Sequence, residues 1–228
     1  MIHRGRLLAP LVFIAFAGCA ASHAGRTVGR GMVQVDVSLG GPLVTNLGGA
    51  IPIPNVPVGV RYGLHDRLDV FGHVNLLPLV TGGFLQLDSG VTWALVRHEG
   101  DRGPNLATSV GFLLMTDLRD GARVSPLVDL AGGYTVKWFT AFAGFDLAMD
   151  FWGGGVHWSP LAGVEFDLPR RVTLQLAWKW YTPAFDWYAS SIRYLPEDPR
   201  AGAMGVLLGI KVNVDPSRYG KKREGGGS

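Results

Sequence analysis

From Val56 to Leu76 the chain reads VPVGVRYGLHDRLDVFGHVNL, and its side chains change character at every second residue. Val56, Val58, Val60 and Tyr62 alternate with Pro57, Gly59 and Arg61. Beyond Gly63-Leu64-His65-Asp66-Arg67, a second run sets Leu68, Val70, Val74 and Leu76 against Asp69, Phe71, His73 and Asn75. A helix repeats its faces every 3.6 residues or about that, so a strict period of two excludes it and leaves an antiparallel β-hairpin with a short turn. A sheet with one apolar and one polar face separates two unlike surroundings, and a one-residue slip would exchange them.

The alternation recurs along the chain. Apolar sets at Val33–Leu39, Leu85–Leu95, Val110–Leu114, Val128–Leu130, Ala141–Met149, Ala162–Leu168, Leu174–Trp180 and Met204–Val214 each stand against small or polar residues. With the first hairpin this makes ten strands, joined without helical crossovers, and 33 Gly with 17% charged residues also leans away from helix. The reading is an all-β, antiparallel up-and-down barrel of eight to ten strands, ten favoured, with both termini on one side.

Which face points inward decides the class. A water-soluble barrel would carry Lys and Glu on its polar face, whereas here that face is mostly Gly, Ala, Ser, Thr, Gln and Asp. The apolar face is nearly free of charge, as hydrocarbon demands. Trp93 and Trp138 fall near one set of strand ends, and Trp152, Trp158, Trp178, Trp180 and Trp187 near the other, like the two aromatic belts of a membrane protein. The expectation is a transmembrane barrel with an apolar exterior and a polar lumen. Arg61, Asp69, His73, Asp88, Asp129, Asp146, Glu165, Lys179 and Lys211 are its lumen network, because charges taken out of water need partners. The connections at Leu64–Arg67 and Leu168–Arg171 are tight, while Gly40–Asn55 and Thr182–Arg200 are long. The last of these carries Trp187, Tyr188, Arg193 and Tyr194, a candidate recognition surface for a surface ligand or protein partner.

Arg61-Tyr62-Gly63-Leu64-His65-Asp66-Arg67-Leu68-Asp69-Val70 resembles the strand, turn and strand signature of small bacterial outer-membrane β-barrel proteins. That resemblance implies the architecture, a bacterial outer-membrane location with the tight turns periplasmic, and lipid as the surrounding partner. Such barrels commonly end on an aromatic residue, whereas this last strand ends at Val214.

The N-terminus reads as a targeting segment for the general secretory route: His3, Arg4 and Arg6, then an apolar Leu7–Ala17 too short to span a bilayer as a helix. Phe16-Ala17-Gly18-Cys19 is similar to a lipoprotein signal, which would make Cys19 the lipidated mature N-terminus, and Ala20 in that family favours the outer membrane. Cleavage after Ser22-His23-Ala24, without lipid, is the rival reading. The expected divisions are a signal peptide at 1–18, a linker at 19–28, the barrel at 29–214 and a disordered basic tail at 215–228 ending in a linker-like Gly-Gly-Gly-Ser.

Without Arg4 and Arg6 the formal charge of +3 falls to +1, and the tail accounts for +2 of what remains. A near-neutral body has no electrostatic footprint for nucleic acid. The histidines lack paired metal-ligand spacing, Gly153-Gly154-Gly155 lacks the helix and Lys of a phosphate loop, and no cofactor is implied. One constellation invites a catalytic reading. His157 and Ser159 with Glu165 have a His-x-Ser spacing similar to that of outer-membrane lipid A deacylases, though Glu165 follows the serine more closely than in that family. The expected function is therefore structural or binding, with a lumen that is not an open pore; a lipid A esterase or acyltransferase, or a lipid-tethered lipocalin-like carrier, are the alternatives.

Overall fold

The computed structural model describes residues 24–44, 51–52, 55–76, 79–80, 85–116, 122–150, 155–181 and 203–217. Its strands are β1 (Val33–Val44), β2 (Ile51–Pro52), β3 (Pro57–His65), β4 (Leu68–Asn75), β5 (Leu85–Val96), β6 (Arg102–Thr116), β7 (Ala122–Val136), β8 (Phe139–Asp150), β9 (Gly155–Leu168), β10 (Val172–Tyr181) and β11 (Ala203–Val214). Each long strand pairs antiparallel with its neighbour in the chain, and β1 pairs with β11 from Val33↔Val214 to Pro42↔Gly205, which closes the sheet. The two-residue β2 pairs only with the far end of β1, so the wall is a ten-stranded up-and-down barrel. Closure leaves no free edge along the wall, which a lipid-embedded sheet requires. Among the described residues no helix is long and apolar enough to cross a membrane.

Strands β6, β7 and β9 are longer than the alternation indicates. Pro104, Pro126 and Pro160, and the Gly132-Gly133 pair, lie within them and interrupt the pattern without ending the ladder.

The alternation is oriented outward. Val110, Leu208, Val156, Trp158, Trp93 and Trp138 are each more than half exposed. Among the described outward positions, the sole charged residue is Arg102, at the very start of β6. Two outward hydroxyls are satisfied internally: Ser89 Oγ donates to the Phe71 carbonyl at 2.9 Å and Thr108 Oγ1 to the Asp129 carbonyl at 2.8 Å. The inward face is buried and differs from side to side. The β1–β5 half is polar, with Asp36, Arg61, Asp69, His73, Gln86, Asp88 and Thr92 all under a tenth exposed. The opposite half carries Leu113, Leu127, Phe142, Leu161, Ala177 and Leu207. The polar lumen thus also holds an apolar layer on one side, where Phe142, Leu161, Ala177 and Leu207 on adjacent strands cluster with Ala24.

Candidate functional site

The functional candidates lie in the lumen, and register places them. Asp36 of β1 stands beside Gly59 of β3, Gly59 beside His73 of β4, and His73 beside Asp88 of β5. A Cβ on Gly59 would lie 1.8 Å from His73 Cδ2, so the missing side chain is the slot through which the imidazole reaches across β3. His73 Nδ1 is 3.2 Å from Asp88 Oδ2 and Nε2 is 3.4 Å from Asp36 Oδ1, a ring held between two carboxylates. Nearby, Arg61 Nη1 lies 3.7 Å from Asp69 Oδ2 and donates to Thr92 Oγ1 at 3.3 Å, with its guanidinium over the Phe71 ring. Thr92 and Ser109 share a hydrogen bond of 2.9 Å, and Asn75 donates to Gln86 and to Asn55.

A second group centres on Glu165, 1% exposed. Lys211 Nζ donates to its Oε1 at 2.6 Å, and Arg26 donates to its Oε2. Arg26 also reaches Asp167 at 2.8 Å, which in turn accepts from Thr173 Oγ1 at 2.7 Å. A third pair joins Lys179 to Asp146 across β8 and β10.

Arg26 belongs to a segment, residues 24–32, that crosses the barrel mouth at the end bearing the short turns. Ala24 is fully buried and packs with Phe142, Leu161, Ala177 and Leu207. Gly25 has φ +74°, and a Cβ there would lie 2.8 Å from the Ala131 carbonyl oxygen. Thr27 Oγ1 donates to the Asp66 carbonyl at 2.8 Å, and Val28 N donates to Asp69 Oδ2 at 2.8 Å. Gly31 N donates to the Gly63 carbonyl at 2.8 Å, and Gly63 N to the Met32 carbonyl at 3.0 Å. Gly63 is also a landing place: a Cβ on it would lie 1.8 Å from the Gly29 carbonyl oxygen. Asp66, in the exposed turn, accepts from the backbone N–H of Arg30 at 3.2 Å and faces Arg97, and these hold its carboxyl below the usual carboxylate range. Between the segment and the β9–β11 wall there remains a cavity of about 310 Å³, lined by Arg26, Gln34, Glu165, Thr173, Lys211 and Asn213 among others.

The lumen residues singled out from the sequence point inward, and Arg61–Asp69, His73–Asp88, Asp146–Lys179 and Glu165–Lys211 are brought together as pairs. Asp129 is half-buried between Ser109 and Asp146 in register. Of the His157, Ser159 and Glu165 constellation, Ser159 and Glu165 are not brought together. Glu165 lies six residues beyond Ser159 on β9, about 20 Å along an extended strand. Its carboxylate is occupied by Lys211 and Arg26, while Ser159 faces Asp146 in register. Cys19, Trp187, Tyr188, Arg193 and Tyr194 lie outside the described residues, as does the side chain of His157. Among the described residues no group of three or more His, Cys, Asp or Glu side chains is arranged to hold a metal ion.

Sequence reasoning missed Arg26 and the role of the 24–28 stretch, which it treated as linker. It also passed over Asp36, although Asp36 stands on the polar face of the first strand. An arginine before the first alternating run is the signal that was available.

A closed antiparallel barrel, with an apolar exterior charged among the described positions only at Arg102 on its rim and with ion pairs inside, is a transmembrane β-barrel of the outer-membrane type. No protein-family model matches the chain, and no curated protein matches it either. Among solved structures it is similar to the NanC porin, with 11% identity and a TM-score of 0.47 over 78% of this chain and 98% of that one. It is similar to the outer membrane protease OmpT from Escherichia coli, with 10% identity and a TM-score of 0.46 over 87% of this chain and 100% of that one. Ail, the attachment invasion locus protein of Yersinia pestis, gives 12% identity and a TM-score of 0.29 over 81% of this chain and 99% of that one. All three scores lie below 0.5, and the fold stands on the strand pairing.

Proposed function

We propose that this protein is a bacterial outer-membrane β-barrel with a structural or binding role and a lumen that does not conduct. It is exported by the general secretory route and tethered through a lipid on Cys19, with the short turns periplasmic. The 182–200 connection, with Trp187, Tyr188, Arg193 and Tyr194, then faces the outside as the surface for a ligand or protein partner.

The observation that carries the closed lumen is the 24–32 segment. It is bonded to the Glu165 group at one side of the mouth and to Gly63, Asp66 and Asp69 at the other. The cavity beside it, about 310 Å³, has room for roughly ten waters, and its charged lining residues Arg26, Glu165 and Lys211 are paired with one another. No catalytic step is assigned, because the carboxylate that a serine hydrolase would need is held in an ion pair.

The test is single-channel recording in planar bilayers. The wild-type protein is expected to give no steady conductance steps. Gly63→Ala puts a methyl where the Gly29 carbonyl sits, so it should undock the segment and produce steps. Steady wild-type conductance comparable to that of an open porin would refute the reading. Incorporation of a labelled fatty acid, abolished by Cys19→Ala, tests the tether.

A further inference from the structure

The rim at the short-turn end carries cations at positions where the backbone favours other residues. Lys137 begins the two-residue turn between β7 and β8 at φ +56°, and Arg170 and Arg171 in the Pro169–Arg171 turn between β9 and β10 both lie at φ +66°. Left-handed positions select Gly, and after it Asn and Asp, because a Cβ crowds the following carbonyl. A long cationic side chain brings the turn no local benefit, so its value lies in where the charge is delivered.

Lys137 and Arg170 are exposed and make no ion pair among the described residues. The same holds for Arg67, beside the β3–β4 turn, and for Arg102, the lone charge among the described outward positions. On the same rim Asp66, Asp167 and Asp215 are already engaged by Arg97, Arg26 and Arg171, which leaves Glu99 and Asp101 as the opposing charges. The free cations emerge at the level of an aromatic band. Trp138 follows Lys137 directly and stacks on Phe166 at 5.8 Å, with Trp93 and Tyr134 exposed at the same end. Aromatic rings of this kind settle at the headgroup level of a bilayer, where lipid phosphates lie. A guanidinium offers a phosphate two parallel donors and an ammonium a compact charge.

We propose that Arg67, Arg102, Lys137 and Arg170 form a basic collar that binds the phosphate headgroups of anionic phospholipids in the leaflet at this end. The collar rests on the transmembrane reading above. Free phosphate is the lesser fit, because the four side chains spread around the rim and do not converge on one pocket.

The test is urea-dependent folding of the full chain into vesicles of phosphatidylcholine, and into equimolar phosphatidylcholine and phosphatidylglycerol, at low and high salt. The wild type should fold in both and favour the anionic vesicles at low salt. A cation at such a surface is worth about a fivefold preference. Lys137→Asn with Arg170→Gly, substitutions that suit left-handed backbone, should keep folding in phosphatidylcholine and lower the preference about twenty-five-fold. Arg102→Gln, on regular strand backbone, is an independent variant expected to lower it about fivefold. A wild type indifferent to phosphatidylglycerol, or an unchanged preference in both variants, overturns the collar. Loss of the preference to inorganic phosphate, beyond that caused by chloride of equal ionic strength, points to a free-phosphate site and overturns it too. Failure of the wild type to fold into either vesicle overturns the transmembrane reading instead.

Discussion

Replacing Glu165 by Gln tests whether the lumen is dry enough to make its charges interdependent. Glu165 is 1% exposed and Lys211 is 5% exposed, with 2.6 Å between Oε1 and Nζ. The amide keeps the shape but turns the ammonium's carboxylate partner into a neutral acceptor. Removing one member of a buried pair leaves an uncompensated charge, at a cost of about 3–5 kcal/mol, and the low end is expected here because Asp36 stands beside Lys211 in register. Arg26 suffers less, since Asp167 still holds it at 2.8 Å and its side chain is 27% exposed; Arg26→Ala alone should cost about 1 kcal/mol. The decisive variant is Glu165→Gln with Lys211→Met. Exchanging both charges for neutral groups of similar volume is often nearly neutral, so the pair should show a coupling of about 2 kcal/mol or more. Reversible urea unfolding in vesicles, followed by tryptophan fluorescence, measures all four corners of the cycle. A loss under about 1 kcal/mol for Glu165→Gln with no coupling would mean that water screens the pair as at a surface, and the proposal of a closed lumen would fall with it.

Val110, 61% exposed in the middle of β6, should cost about 2–4 kcal/mol as Val110→Arg in vesicle-based unfolding if it faces lipid, and almost nothing if it faces water. Gly59→Ala drives a methyl into the His73 ring and should cost about 2–4 kcal/mol in the wild-type background but under about 1 kcal/mol in a His73→Ala background, where the ring is gone, as read by vesicle-based unfolding. Asp66 titrates below its ordinary 3.8, so the stability it lends the 24–32 segment is complete above that pH and is lost as pH falls through its lower folded value. Its carboxyl carbon shift, followed by NMR in micelles, should show a midpoint under 3.8 that rises when Arg97 is replaced by Gln.

The alternation that singles out Val56–Leu76 was enough to set the fold class, because a period of two admits only strand and a charge-free face admits only an apolar surrounding. The same parity placed Arg61, Asp69, His73, Asp88 and Glu165 on the inward face. It could not choose their partners. His73 meets Asp36 only because Gly59, on the strand between them, has no side chain, and Glu165 meets Lys211 only after β9, β10 and β11 are laid in register. The alternating runs were shorter than the strands where Pro104, Pro126 and Pro160 lie inside them, since proline gives the ladder no N–H and only the paired neighbour shows it continuing. Arg26 was the least legible residue of all. It follows no periodic run, and its place in the mouth depends on contacts with residues some 140 positions away. The sequence by itself determined that this chain forms an antiparallel sheet with one face for hydrocarbon and one for its own side chains, because that information repeats at every second residue. Only the closed barrel decided which charges neutralise one another and that the N-terminal segment lies in the mouth, because those pairings join strands distant in sequence and exist only once the ring is shut.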